Sequence, residues 1–201
     1  MPKRSLILAS ASPRRQELLG LLGAPFRVVP STFDESTGVQ WPPEEHIIES
    51  ATGKALEVAS NIEDGLVIGA DTVVVMNKLI LGKPIDSDDA RRMLRRLSGR
   101  SHFVYTGLCV IEREGAQTAR ILQDYVRTEV CFGDLSDEVI DAYVATGEPL
   151  DKAGAYGIQE RGSVLVEGIV GDYFNVVGLP IYTLSRMLRK FGVPLFGYHG
   201  Y

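Results

Sequence analysis

The stretch Ser5-Leu6-Ile7-Leu8-Ala9-Ser10-Ala11-Ser12-Pro13-Arg14-Arg15-Gln16-Glu17-Leu18-Leu19 runs a short apolar strand into a helix through a turn of small residues. Ser12 suits the N-cap, and Pro13 at the first helical position gives up only an N–H that has no partner within the helix. The free N–H groups of the first turn and the positive end of the helix dipole then face the turn. Arg14 and Arg15 bring forked donors to the same place, matched to phosphate oxygens. Arginines in a first turn also oppose the dipole and are often simply solvated. The turn alone therefore leaves phosphate binding and solvation both open.

Outward from this unit, composition narrows the choice. The chain has 201 residues, 45% of them hydrophobic and 23% charged, which fits one globular domain over residues 1–201 with a sizeable core. Its net charge of −5 disfavours broad binding to nucleic acid or to an anionic membrane. A basic turn in an acidic protein reads better as a local pocket for a small anion. No apolar run is long enough to span a bilayer, and the start of the chain lacks the pattern of a signal peptide, so a cytoplasmic location is expected. Cys109 and Cys131 lie in apolar, strand-like surroundings without a CxxC spacing, and both are expected to be buried free thiols.

The remaining pattern alternates strands and helices. Strands are expected over Leu6–Ala9, Phe26–Val29 and Leu66–Met76, the last kinked at Gly69-Ala70-Asp71-Thr72. Asn77-Lys78 turns into Leu79-Ile80-Leu81 as a hairpin, and His102–Ile111 with Ile121–Phe132 form two long strands. A late strand is expected at Val164–Val170. Helices are predicted from Pro13 to about Leu22, from Glu44 to Ser60, from Ser87 to Leu97 behind the cap Asp86, from Ser136 to Thr146, and after Pro180. Arg91, Arg92, Arg95 and Arg96 lie off the apolar face of the third helix and read as a solvated or subunit-contacting surface. The expected fold is α/β, a mixed twisted sheet flanked by helices.

Several residues stand out against this frame. Asp71 interrupts an apolar strand, where Asp is disfavoured, so it marks either a backbone-bonded bulge or a carboxylate at a pocket edge; we favour the second. Lys54 falls seven residues after Ile47, close to the inward face of its helix, either snorkelling or aimed into a pocket. Glu35 in the loop after Val29 is unremarkable alone, but with Asp71 it offers hard oxygen donors for Mg²⁺ or Mn²⁺ bridging substrate phosphates. Lys83 in Gly82-Lys83-Pro84 taken alone reads as a turn lysine. Gly147-Glu148-Pro149-Leu150-Asp151-Lys152-Ala153-Gly154-Ala155-Tyr156-Gly157-Ile158-Gln159 is the densest polar segment, and Gln159 carries both the donor and the acceptor that reading a base edge requires. Asp172, Tyr173 and Asn175 form a second polar cluster. There is no GxxxxGK[ST], no GxGxxG opening a helix and no zinc spacing among the histidines.

Taken in order, Ser10-Ala11-Ser12-Pro13-Arg14-Arg15, Glu35, Lys54, Gly69-Ala70-Asp71-Thr72, Gly82-Lys83-Pro84, Leu97-Ser98-Gly99, Thr106-Gly107 and Gly147 to Gln159 resemble the Maf family of nucleoside triphosphate pyrophosphatases. The resemblance runs from Leu8 to Pro180; the tail from Gly192 to Tyr201 and much of the Thr37–Pro43 loop fall outside it. It implies an inosine-triphosphatase-like fold with the active site in a cleft between two lobes. It implies Mg²⁺- or Mn²⁺-dependent cleavage between the α and β phosphates, giving a monophosphate and pyrophosphate. A homodimer, a cytoplasmic role in cleansing the nucleotide pool, and a link to septum formation are implied as well. Arg14, Thr72 and Gln159 match the selectivity positions of the branch acting on dTTP, UTP and modified pyrimidine nucleotides. The 7-methyl-GTP branch instead carries Gln after the Asp and Glu in place of Gln159.

The site expected on this basis has Glu35 and Asp71 on the metal, Asp71 assisting or acting as base, and Ser10, Arg14, Arg15, Lys54 and Lys83 on the phosphates. Thr72 and Gln159 read the pyrimidine. The alternative is a non-catalytic, nucleotide-sensing regulator of septum formation, which would have no need of Glu35 or Asp71. A narrower rival is a purine triphosphatase of the same fold class.

Overall fold

The computed structural model describes residues 5–33, 42–115, 117–194 and 196. In chain order the elements are β1 (Leu6–Leu8), α1 (Pro13–Gly20), β2 (Phe26–Val28), α2 (Pro43–Ala59), β3 (Gly65–Met76), β4 (Leu79–Leu81), α3 (Ser87–Leu97), β5 (Ser101–Glu114), β6 (Gln117–Phe132), α4 (Asp137–Ala145), β7 (Val166–Val170), α5 (Tyr173–Val177) and α6 (Ile181–Arg189). Short 3-10 turns at Glu148–Asp151, Ala153–Ala155 and Arg161–Leu165 fill the path from α4 to β7.

Among the described residues the strands form a seven-stranded sheet in the order β2-β1-β3-β5-β6-β7, with β4 paired to β3. β1 is apolar and buried at every position, as a strand covered on both faces must be, and it pairs in parallel with β2 and with β3. β4 returns antiparallel on β3 through Asn77 and Lys78, both at positive φ, the mirror-image turn that suits strand twist. β7 is antiparallel to β6, so the sheet is mixed as expected.

Two compact units divide the chain. The first comprises Met1–Asp71, Thr106–Val126 and Gly178–Tyr201. Its core sets Ala51, Ala55 and Val58 of α2 against Ile7, Val67, Cys109 and Ile111. Here α2 lies unusually close to the strands. A Cβ on Gly69 of β3 would collide with the carbonyl oxygen of Ala51, and one on Gly107 of β5 with that of Ile47. The two glycines thus receive two carbonyls one helical turn apart. Leu22 accepts a hydrogen bond from the Phe196 N–H of the tail.

The second unit comprises Thr72–Tyr105 and Arg127–Val177. Leu94 and Leu97 of α3, Ile140 and Val144 of α4, and Val104, Val130 and Phe132 of the strands share its core. Arg91 and Arg95 of α3 bond Asp141 and Asp137 of α4, at 2.7 and 2.6 Å, whereas Arg92 and Arg96 are exposed and Arg92 pairs with Asp89 of its own helix. The pairs between the helices are exposed and orient them more than they stabilise them.

Three expectations are revised. β3 runs without a kink through Gly69–Thr72, because Gly69 is required by the approach of α2 and not by a turn. The Val164 region is a 3-10 turn with Val164 exposed, and the strand starts at Val166. Cys131 is half-buried, with its sulfur 3.2 Å from the Ser101 hydroxyl, whereas Cys109 is buried as expected. Burial pushes the Cys109 thiol up to about 11, against a weaker opposing hydrogen bond with Thr52, which removes it from nucleophilic chemistry near neutral pH.

Candidate active site

In the first unit, Ser12 caps α1 as the sequence requires: its Oγ accepts from the Arg15 N–H, and Pro13 occupies the first helical turn. Ser10 is buried, and its Oγ accepts from the Ser12 N–H at 3.2 Å and from Arg15 Nη1 at 3.4 Å. Arg15 continues past this turn. Its Nη1 donates to the Ala70 carbonyl and its Nε to the Gly178 carbonyl, both at 2.9 Å. The guanidinium thereby ties the N-terminal turn to the residue that precedes Asp71. Arg14 stands on the same first turn of α1.

Asp71 is 7% exposed, and its Oδ1 accepts from Lys54 Nζ at 2.7 Å. The pair follows from the close seat of α2. Ala51 meets Gly69, Lys54 lies one turn further along the helix, and Asp71 lies two residues further along the strand on the same face. Both side chains are nearly buried, 12% and 11% exposed, so each charge depends on the other. The choice left open for Lys54 is thus decided: the ammonium is aimed inward, at a carboxylate.

Asp71 supplies one carboxylate, a hard oxygen donor of the kind that Mg²⁺ takes together with substrate phosphates. Among the described residues no group of three His, Cys, Asp or Glu side chains gathers as an all-protein cage. Glu35, the other expected ligand, lies outside the described residues.

In the second unit, Thr72 is half-buried and Lys83 is exposed just after β4. The Gly82 carbonyl accepts from the Gly154 N–H at 3.0 Å, which brings the Gly82-Lys83 segment against the one that leads to Gln159. Gln159 itself is half-buried. Its surroundings are held by residues that were part of the dense motif but had no separate role in the sequence reading. Glu148 accepts from the Tyr143 hydroxyl and from two backbone N–H groups, those of Arg161 and Gly162. Lys152, 6% exposed, donates to the Glu148 carbonyl and to Asp151. Burial, chiefly, pushes the Tyr143 phenol up, with Glu148 adding to the effect and the Gly157 N–H opposing it, so the hydroxyl keeps its proton to donate. These roles have no sequence period, and a buried lysine at an irregular turn was the available signal.

The Asp172, Tyr173, Asn175 cluster is structural. Asp172 Oδ1 accepts from the Phe174 and Asn175 N–H groups at the start of α5, and the buried Asn175 Nδ2 donates to the Val104 carbonyl and Thr128 Oγ1.

Known proteins give this geometry a context. The sequence model of the family described as Maf-like protein matches residues 5–191. A dTTP/UTP pyrophosphatase of Moorella thermoacetica is 52% identical, over 96% of this chain and 97% of its own. One of Bacillus cereus (strain B4264) is 50% identical over 94% and 97%. In structure, the chain is similar to a HAM1 protein from Coxiella burnetii, with a TM-score of 0.53 and 16% identity over 93% of this chain and 99% of that one. That likeness shows the mixed α/β fold.

Proposed function

The chain belongs to the Maf-like protein family, and from that premise we propose that it hydrolyses dTTP and UTP, together with modified pyrimidine nucleoside triphosphates, to the monophosphate and pyrophosphate. The observation that carries this reading is the Lys54–Asp71 pair beside the Ser10–Arg15 turn, in a chain half identical to dTTP/UTP pyrophosphatases over nearly its whole length. A sensor without turnover has no need of the Asp71 carboxylate.

In the reaction, water forms one new P–O bond and the bridging P–O bond between the α and β phosphorus atoms breaks, with pyrophosphate as the leaving group. We assign Asp71 the proton of the attacking water. Lys54 fixes the carboxylate through Oδ1 and keeps it oriented. Ser10, the amides of its turn, Arg14, Arg15 and Lys83 meet the phosphates and offset the charge that builds on them. Arg15, anchored on two carbonyls, also fixes the turn. A divalent ion, Mg²⁺ or Mn²⁺, held by Glu35 and Asp71, would neutralise triphosphate charge when bound. Thr72 and Gln159 read the pyrimidine edge.

The same reading takes residues 1–201 as one catalytic domain; the chain passes between the two units at Asp71/Thr72, Tyr105/Thr106, Val126/Arg127 and Val177/Gly178, which supports it. We further propose a homodimer in the cytoplasm that binds neither nucleic acid nor membrane. No helix among the described residues is long and apolar enough to cross a membrane.

The test is pyrophosphate release from a nucleotide panel with Mg²⁺ or Mn²⁺, comparing the native protein with Asp71→Asn. UTP and dTTP should be turned over, and the variant should lose at least about a hundredfold in kcat while remaining folded. Tight nucleotide binding without release from any member would favour the sensor.

A further inference from the structure

Gln159 sits in a turn whose backbone is held at defined points. The Gly157 N–H, two residues before it, donates to the Tyr143 hydroxyl at 3.1 Å. The Arg161 N–H, two residues after it, donates to Glu148 Oε2 at 3.1 Å, and the Gly162 N–H to Glu148 Oε1 at 3.0 Å. The Tyr143 hydroxyl closes the set by donating to Glu148 Oε1 at 2.9 Å. The turn is also packed shut: a Cβ on Gly162 would meet the Tyr143 hydroxyl at 2.6 Å and the Gly157 carbonyl at 2.7 Å. Beneath it, Lys152 Nζ donates to the Glu148 carbonyl at 2.9 Å, and its stem fills the space a Cβ on Gly157 would need. This frame fixes the backbone on both sides of Gln159.

We propose that Glu148, with Tyr143, is the positioning residue for base selection: its carboxylate sets the turn that presents Gln159 to the pyrimidine. The inference rests on the reading of Gln159 as the base-reading residue. Glu148 touches no substrate in this role. It acts through the amides at positions 161 and 162, so its removal leaves the phosphate chemistry intact and blurs the distinction between a 4-oxo and a 4-amino pyrimidine. One carboxylate oxygen takes two donors and the other takes one, an acceptor demand that a neutral amide cannot meet.

The experiment compares steady-state kinetics on UTP and CTP for the native protein, Glu148→Gln, Tyr143→Phe, Gln159→Ala and the double variant Glu148→Gln/Gln159→Ala, with a melting curve for each. Tyr143→Phe keeps the ring and removes one hydroxyl, so it carries the test if Glu148→Gln folds poorly. Expected is a fall of roughly three- to tenfold in the UTP/CTP ratio of kcat/KM for each single variant, the size of one misplaced neutral hydrogen bond. The fall should come through KM for UTP with kcat retained, and Glu148→Gln should add nothing in the Gln159→Ala background. If Gln159→Ala lowers the ratio while Glu148→Gln and Tyr143→Phe slow both nucleotides alike, the positioning role is overturned and Gln159 stands. An unchanged ratio in Gln159→Ala itself overturns the reading of Gln159 and this inference with it.

Discussion

Lys54 and Asp71 form one ion pair whose energetic part can be separated from the chemical role proposed for it. With both side chains nearly buried, removing Lys54 strands the Asp71 carboxylate, at a cost of about 3 kcal/mol or more. Lys54→Met should therefore lower both stability and activity. Combining it with Asp71→Asn should restore much of the stability, since no charge is left stranded, while activity stays lost. Urea denaturation alongside pyrophosphate release would read the two effects apart, and additive stability losses in the double variant would contradict the pairing. At this scale the sequence singles out residues but not their contacts. An aspartate inside an apolar strand and a lysine on an inward helix face were both visible, but their contact was not. Glu148 and Tyr143 were harder still, because their partners are backbone amides thirteen or more residues away on an irregular path.

Elements were legible where periodicity and caps agree. α3 begins behind Asp86 and ends at Leu97 as its sequence requires, with Asp86 Oδ1 accepting from the Asp89 N–H at 2.7 Å. Asp86→Ala should cost about 1 kcal/mol, the usual loss of an N-cap, measurable as a shift in the denaturation midpoint with unchanged slope. The expected kink in β3 failed for an instructive reason. A glycine two residues before an aspartate in a strand resembles a break, yet Gly69 serves the passage of α2 overhead. Gly69→Ala must push the helix off the sheet, carrying Lys54 with it. We expect roughly 1–3 kcal/mol of destabilisation, as for other overpacked cores, and a fall in kcat larger than the loss of folded protein explains. Activity in proportion to folded fraction would show that the helix position is not what sets the pair.

For the molecule as a whole, the net charge of −5 agrees with the proposed small anionic substrate at a local site. Part of its acid-side pH response should come from a buried histidine to which no chemistry is assigned. His102 is 1% exposed, packs edge-on to Phe132, and places Nε2 2.8 Å from the Tyr156 hydroxyl. Burial holds its imidazole down to about 4, against an ordinary value of 6.5. Between these values the unfolded chain takes up a proton that the folded one refuses, so stability falls as pH drops through this window and levels off below it. The loss from pH 7.5 to 4.5 should be roughly 2–3 kcal/mol from this group, and His102→Gln should remove that slope from a series of urea titrations.

The bonds of Arg15 have one more consequence, which concerns time. Its contacts with Ala70 and Gly178 span 55 and 163 residues of chain. The Ala70 contact closes the shorter loop and can form first, whereas the Gly178 contact has to wait for two segments far apart in the chain to meet. The turn is therefore held in two stages during folding, and its final geometry is among the later features to be fixed.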